Sequence, residues 1–175
     1  MVIVLAIYDD KEDVNMACFD NTDYHFSDAY DLYLEKAKCK DKDNEENIRN
    51  AQRYASTHIG IYMEWIIKHN LEGDLHKQSS KESLKKVRNN EMNGTEFFLK
   101  ECGGKLYDDD FNEEGLNFTE SYYDDYLSDY GVEALMISDK GVYDVEHTRE
   151  SYDYMAEMLD EAYNNFKHGK SGRVR

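Results

Sequence analysis

The chain has 175 residues, 38 of them acidic against 21 basic, for a formal net charge of −17. Hydrophobic residues make up 40% and aromatics 13%, including 15 tyrosines, which is too much apolar material for a wholly disordered chain. The length suits one domain. No run approaches the ~20 apolar residues of a membrane span, and the negative charge argues against direct nucleic-acid binding.

Cys18, Cys39 and Cys102 are widely spaced and form no CxxC pair, so free thiols in a reducing compartment are expected. The start, MVIVLAIYDDKED, lacks the basic leader and cleavage site of a signal peptide, which points to a cytoplasmic protein. Proline is absent, so no helix is kinked by it.

Val2 to Tyr8 is a β-branched and aliphatic run that predicts a buried strand. Asp23 to Lys38 predicts a helix with Ser27 or Asp28 near its cap. Residues 39–47, CKDKDNEEN, read as a loop or a solvated helix end. From Thr57 to His69 the apolar residues Ile59, Tyr62, Met63, Ile66 and Ile67 lie on one helical face, with Trp65 off its centre. Lys81 to Asn90 predicts a basic helix, and Thr95 to Cys102 a short one stopped by Gly103-Gly104. Asp108-Asp109-Asp110 is expected to open the next helix, where acids meet the positive pole of its dipole, and Gly131 to close it. Ala134–Ser138 and Val142–Val145 predict a hairpin turned by Asp139-Lys140-Gly141, with the Val2–Tyr8 strand as a third member. Thr148 is expected to cap a last helix with Tyr152, Met155, Leu159, Tyr163 and Phe166 on one face. The expected fold is α+β, mostly α: about five or six helices around an aromatic-rich core, with a small two- or three-stranded sheet. The chain reads as one globular domain over 1–168, with 1–53 a candidate extension of a core at 54–168, and 169–175 a flexible tail.

Asp108-x-Asp110-x-Asn112 begins like a calcium loop. The glycine such a loop needs is replaced by Glu113, and its last ligand by Thr119, so no metal is expected there. His25, His58, His69, His76, His147 and His168 form no HExxH or HxH pattern. No GxSxG, Walker or GxGxxG string occurs, and no cofactor or catalytic residue is expected. His58 could serve as a general base, but a hydrogen-bonded structural histidine is the commoner outcome. Cys102 beside Gly103-Gly104 reads better as a helix end than as a nucleophile.

The stretch Asn112 to Tyr130, NEEGLNFTESYYDDYLSDY, mixes carboxylates with tyrosines and has no basic residue. Its bland reading is a solvated face. The size of the surplus and the interleaved tyrosines favour a surface for a basic partner. The predicted contact residues are Asp108, Asp109, Asp110, Glu113, Glu114, Asp124, Asp125 and Asp129, with Tyr123, Tyr126 and Tyr130 as anchors.

Tyr54-Ala-Ser-Thr-His-Ile-Gly-Ile-Tyr-Met-Glu-Trp-Ile-Ile, Met92-Asn-Gly-Thr-Glu-Phe-Phe-Leu, Phe111-Asn-Glu-Glu-Gly-Leu-Asn-Phe and Tyr122-Tyr-Asp-Asp-Tyr-Leu-Ser-Asp-Tyr, with Val145 and Tyr152-Asp-Tyr, together carry a resemblance. The chain resembles a bacterial family of unknown function with a THIGxYxxWxI helix and an LNEEGxxF…YYxxYLxDY helix. The resemblance implies a small soluble protein, in some members an immunity protein beside a polymorphic toxin gene, and transfers no catalytic residue. The leading expectation is therefore an acidic immunity protein that neutralises a basic, nuclease-type toxin. The alternatives are a phage or plasmid DNA mimic blocking restriction or CRISPR enzymes, and a small hydrolase using His58.

Overall fold

The computed structural model describes residues 17–38 and 44–170. The predicted Val2–Tyr8 strand, residues 39–43 of the polar stretch and residues 171–175 of the tail lie outside the described residues. Within them the fold is α+β and mostly helical: seven α-helices, two short 3-10 turns and a two-stranded antiparallel sheet.

The strands are β1 (Cys18–Asn21) and β2 (Lys105–Tyr107), with Asp20 opposite Leu106. Asn21 ends β1 and caps α1 (Thr22–Ala37), its side chain accepting from the backbone N–H groups of Asp23 and Tyr24. Ser27 and Asp28, predicted near the cap, lie inside the helix instead, because Asn21 satisfies the orphan donors a turn earlier.

The central element is α2 (Glu45–Lys68). It starts twelve residues before the predicted Thr57, inside the stretch read as a loop or a solvated helix end, and residues 45–47 are a helix end. Asn44 caps it, and Glu45 and Glu46 sit at its positive pole. Every residue from Ala55 to Ile67 is buried, so α2 is enclosed all round rather than on one face, and Trp65 is as buried as its neighbours.

Three short helices follow: α3 (Asp74–Ser79), α4 (Lys81–Arg88) and α5 (Gly94–Glu101). Asn93 and Glu96 form a capping box at the start of α5. Helices α2 and α5 touch through glycines. A Cβ added to Gly60 would stand 2.4 Å from the Thr95 Cα, and one on Gly94 would stand 2.0 Å from the Gly60 carbonyl oxygen.

Asp108–Asp110 is a separate 3-10 turn and does not open the next helix. Phe111 takes an extended conformation and bridges to Glu72. Asn112 then caps α6 (Glu113–Ile137), accepting from Gly115 N–H at 2.9 Å. The predicted hairpin is absent. Helix α6 runs through Gly131 to Ile137, and Val142–Asp144 is a 3-10 turn. The reason is period. Tyr126, Tyr130 and Ala134 follow at i, i+4 and i+8 and all are buried, so the helical ladder continues where a short apolar run alone reads as strand. The last helix, α7 (Arg149–Lys167), is capped by Thr148 as predicted.

Helices α6 and α7 lay aromatics over α2. The Tyr62 ring meets those of Tyr123 at 5.0 Å and Tyr126 at 4.9 Å, and Trp65 packs on Phe118 and Tyr163. The buried hydroxyls of this cluster have partners, as the low dielectric favours. Tyr62 meets Thr119 Oγ1, Tyr122 donates to Asp129, Tyr126 to the His58 carbonyl and Tyr130 to the Val142 carbonyl. Among the described residues, no helix is long and apolar enough to cross a membrane.

Gly60→Ala should force α2 and α5 apart and cost about 1–3 kcal/mol. A urea titration should show a lower midpoint for the variant, and an unchanged midpoint would refute the close approach.

Candidate functional site

The fold divides the predicted contact residues between core and surface. Asp109, Glu113, Glu114 and Asp124 are exposed, and Asp108 and Asp125 are half-buried. Tyr123, Tyr126, Tyr130, Asp110 and Asp129 are buried. The three tyrosines therefore cannot anchor a partner in this fold, because their rings pack on Tyr62 and on one another. The two acids are likewise withdrawn: Asp110 onto His76, and Asp129 onto the Tyr122 hydroxyl. The helical period causes this split, since residues 123, 126 and 130 fall on the face of α6 turned towards α2.

The opposite face of α6 is open. Glu113, Asn117, Glu120, Asp124, Ser128 and Leu135 follow at helical spacing and all are exposed. At 1.5 Å per residue this face is about 37 Å long. Its amino-terminal half is acidic. Among the described residues no Lys, Arg or His forms an ion pair with Glu113, Glu120, Asp124 or Asp125. Its carboxy-terminal half is apolar, with Val132 at 55%, Leu135 at 66% and Met136 at 73% exposure. A cleft of ≈ 360 Å³ adjoins this end, lined by Ile137, Val145, Glu146, Glu150 and Tyr154 among others. Sequence reasoning missed the apolar half because it ended the helix at Gly131 and assigned Leu135 and Met136 to a strand. The signal that finds it is their continuity with the helical spacing of the acids.

Three elements bring Asp20, His25 and His58 together inside the fold. His25 Nε2 lies 2.7 Å from Asp20 Oδ1, and His58 Nε2 lies 3.4 Å from Asp20 Oδ2 and 3.3 Å from His25 Nε2. The Tyr123 hydroxyl donates to Asp20 Oδ2 at 3.0 Å, and the Asn21 N–H to Oδ1 at 2.8 Å. The Tyr143 hydroxyl meets His25 Nδ1 at 2.9 Å. Burial by itself pushes the Asp20 carboxyl up. Hydrogen bonds from His25 and His58 more than reverse this and hold it well below the usual carboxylate range. Burial pushes His58 down, with Asp20 offsetting part of the effect. His58, the residue considered as a general base, is thus buried and committed to Asp20.

A second buried group joins His76, Cys102 and Asp110. Asp110 Oδ1 is 2.7 Å and Cys102 Sγ 3.7 Å from the same nitrogen, His76 Nε2. Burial and the neighbouring Asp110 push the Cys102 thiol well up, so it stays protonated near neutral pH and is a poor nucleophile. A general base would need one ring nitrogen for the thiol and the other for the carboxylate, which this arrangement does not supply.

Asp20 and His58 both bind protons less readily folded than unfolded, so the unfolded state gains protons as pH falls and stability drops. The loss should begin near pH ~6.5, where an unfolded histidine titrates, and continue below pH ~3.9, where an unfolded aspartate does. Urea midpoints between pH 7 and 3 should fall in the wild type. Below pH ~3.9 they should fall less steeply in Asp20→Asn, and parallel curves there would refute this role.

No curated protein and no solved structure gives a match to this chain. The profile of one family does match, over residues 18–160, beginning inside the stretch read from sequence as a candidate extension. With most of its length covered, the chain belongs to the family of the domain of unknown function DUF7832.

Proposed function

We propose that this protein is a cytoplasmic, non-catalytic immunity protein that binds a basic bacterial toxin and occludes its active cleft. The observation that carries this reading is the outer face of α6, where carboxylates with no ion pair among the described residues run directly into exposed aliphatic side chains. A toxin that cuts nucleic acid needs a basic cleft to hold phosphates. The exposed acids, Glu113, Glu120 and Asp124 above all, suit that cleft in sign and can steer the encounter. Val132, Leu135 and Met136 would supply the desolvated contact that holds the complex, the part first expected of Tyr123, Tyr126 and Tyr130. Net charge of −17 adds a long-range field of the same sign. The sequence resemblance to a family with some immunity-protein members points to the same partner class.

The test is association with, and inhibition of, a basic nuclease-type toxin, sought first in the gene next door. Replacing Glu113, Glu120 and Asp124 together by lysine should slow association by about tenfold or more and flatten its salt dependence. Leu135→Asp should instead speed dissociation, with an unchanged circular dichroism spectrum. Full inhibition by both variants would remove this face from the mechanism.

A further inference from the structure

We propose that Asp20, His25 and His58 form a binding site for a divalent transition ion, of which zinc fits best. Their donor atoms converge from three elements, β1, α1 and α2, and lie within 4.8 Å of one another. A tetrahedral zinc with bonds of about 2.0–2.1 Å sets its ligand atoms about 3.3–3.4 Å apart. The two Nε2 atoms are 3.3 Å apart, and His58 Nε2 is 3.4 Å from Asp20 Oδ2. Two edges of a coordination tetrahedron thus already exist.

Without an ion, each ring can donate its Nε2–H to a separate oxygen of Asp20, His25 to Oδ1 and His58 to Oδ2. The two N–H dipoles then lie side by side with their nitrogens 3.3 Å apart. A cation at the same place instead accepts both lone pairs.

The surroundings match those of metal ligands. With Nε2 on an ion, His25 keeps its proton on Nδ1, 2.9 Å from the Tyr143 oxygen that can accept it. Asp20 is held from behind by the Tyr123 hydroxyl and the Asn21 N–H. Two imidazoles with one carboxylate suit zinc, cobalt or ferrous iron, whereas calcium and magnesium prefer all-oxygen sets. Asp20 and His58 are buried and His25 is 19% exposed, which gives an ion a way in and a water a fourth position. The bound ion would cross-link β1 and α1 to the central helix α2, a role separate from the outer face of α6.

The test uses the purified full chain, stripped with a chelator, then titrated with Zn²⁺ by calorimetry and with Co²⁺ by visible absorption. Excess Mg²⁺ occupies the surface carboxylates. The expected result is about one tightly bound equivalent and the intense visible bands of tetrahedral cobalt. His58→Ala and His25→Ala should each weaken binding at least about tenfold, and Tyr123→Phe, which keeps the ring, about tenfold. Cys102→Ser should leave binding unchanged. Circular dichroism checks folding; if His58→Ala unfolds, the partly exposed His25→Ala carries the comparison. Wild-type protein that binds no more Zn²⁺ or Co²⁺ than His25→Ala overturns the proposal. So does binding abolished by Cys102→Ser, which would assign the ion to His76, Cys102 and Asp110.

Discussion

Asp20, Glu64, Glu72 and Asp110 are carboxylates withdrawn from water in a chain with a large acidic surplus, and each is held by donors from another element. Asp20 takes His25, His58 and Tyr123, and Asp110 takes His76. Glu64 accepts the Gly94 N–H at the start of α5 and the Lys68 ammonium, and Glu72 accepts Arg88. A buried carboxylate without such partners costs several kcal/mol, and removing one partner of a buried pair typically costs about 3–5 kcal/mol. These contacts therefore disfavour any arrangement of the elements that buries the same carboxylates without those donors.

The same constraint assigns the tyrosines. A buried phenol keeps its ring in the core only if its hydroxyl finds an acceptor. Here the acceptors are Asp20, Asp129 and backbone carbonyls of α2 and of the turn before α7. The alternation of acids and tyrosines along α6 is thus partly an internal pattern. Its inward tyrosines pack on α2, while its outward acids stay in solvent. What remains outside is simpler than the sequence pattern: carboxylates at one end of the helix and aliphatics at the other. Charge at such a surface acts on encounter, and apolar area acts on residence.

Helix α2 shows how far local pattern reaches. Its apolar spacing reveals the helix but not its length or its enclosure. Asn44 and the acids Glu45 and Glu46 form an ordinary start signal, yet in a polar stretch they read equally well as loop. Burial of Gly60 under Thr95 is a long-range fact, set by α5 crossing α2. The strand reading of residues 134–138 failed for a related reason. A short apolar run has no period of its own, and only the buried Tyr126, Tyr130 and Ala134 on the preceding turns carry the helix through it.

Composition and spacing by themselves determined the helical character of the chain, the cap at Thr148, the aromatic core and the acidic excess. All of these depend on residue type or on neighbours within a turn or two. Tertiary structure alone decided which acids face water, where the two strands come from, and that Asp20, His25 and His58 meet. Those outcomes depend on residues far apart in sequence, such as Asp20 and Tyr123, sharing one enclosed volume in which each polar group must find a partner.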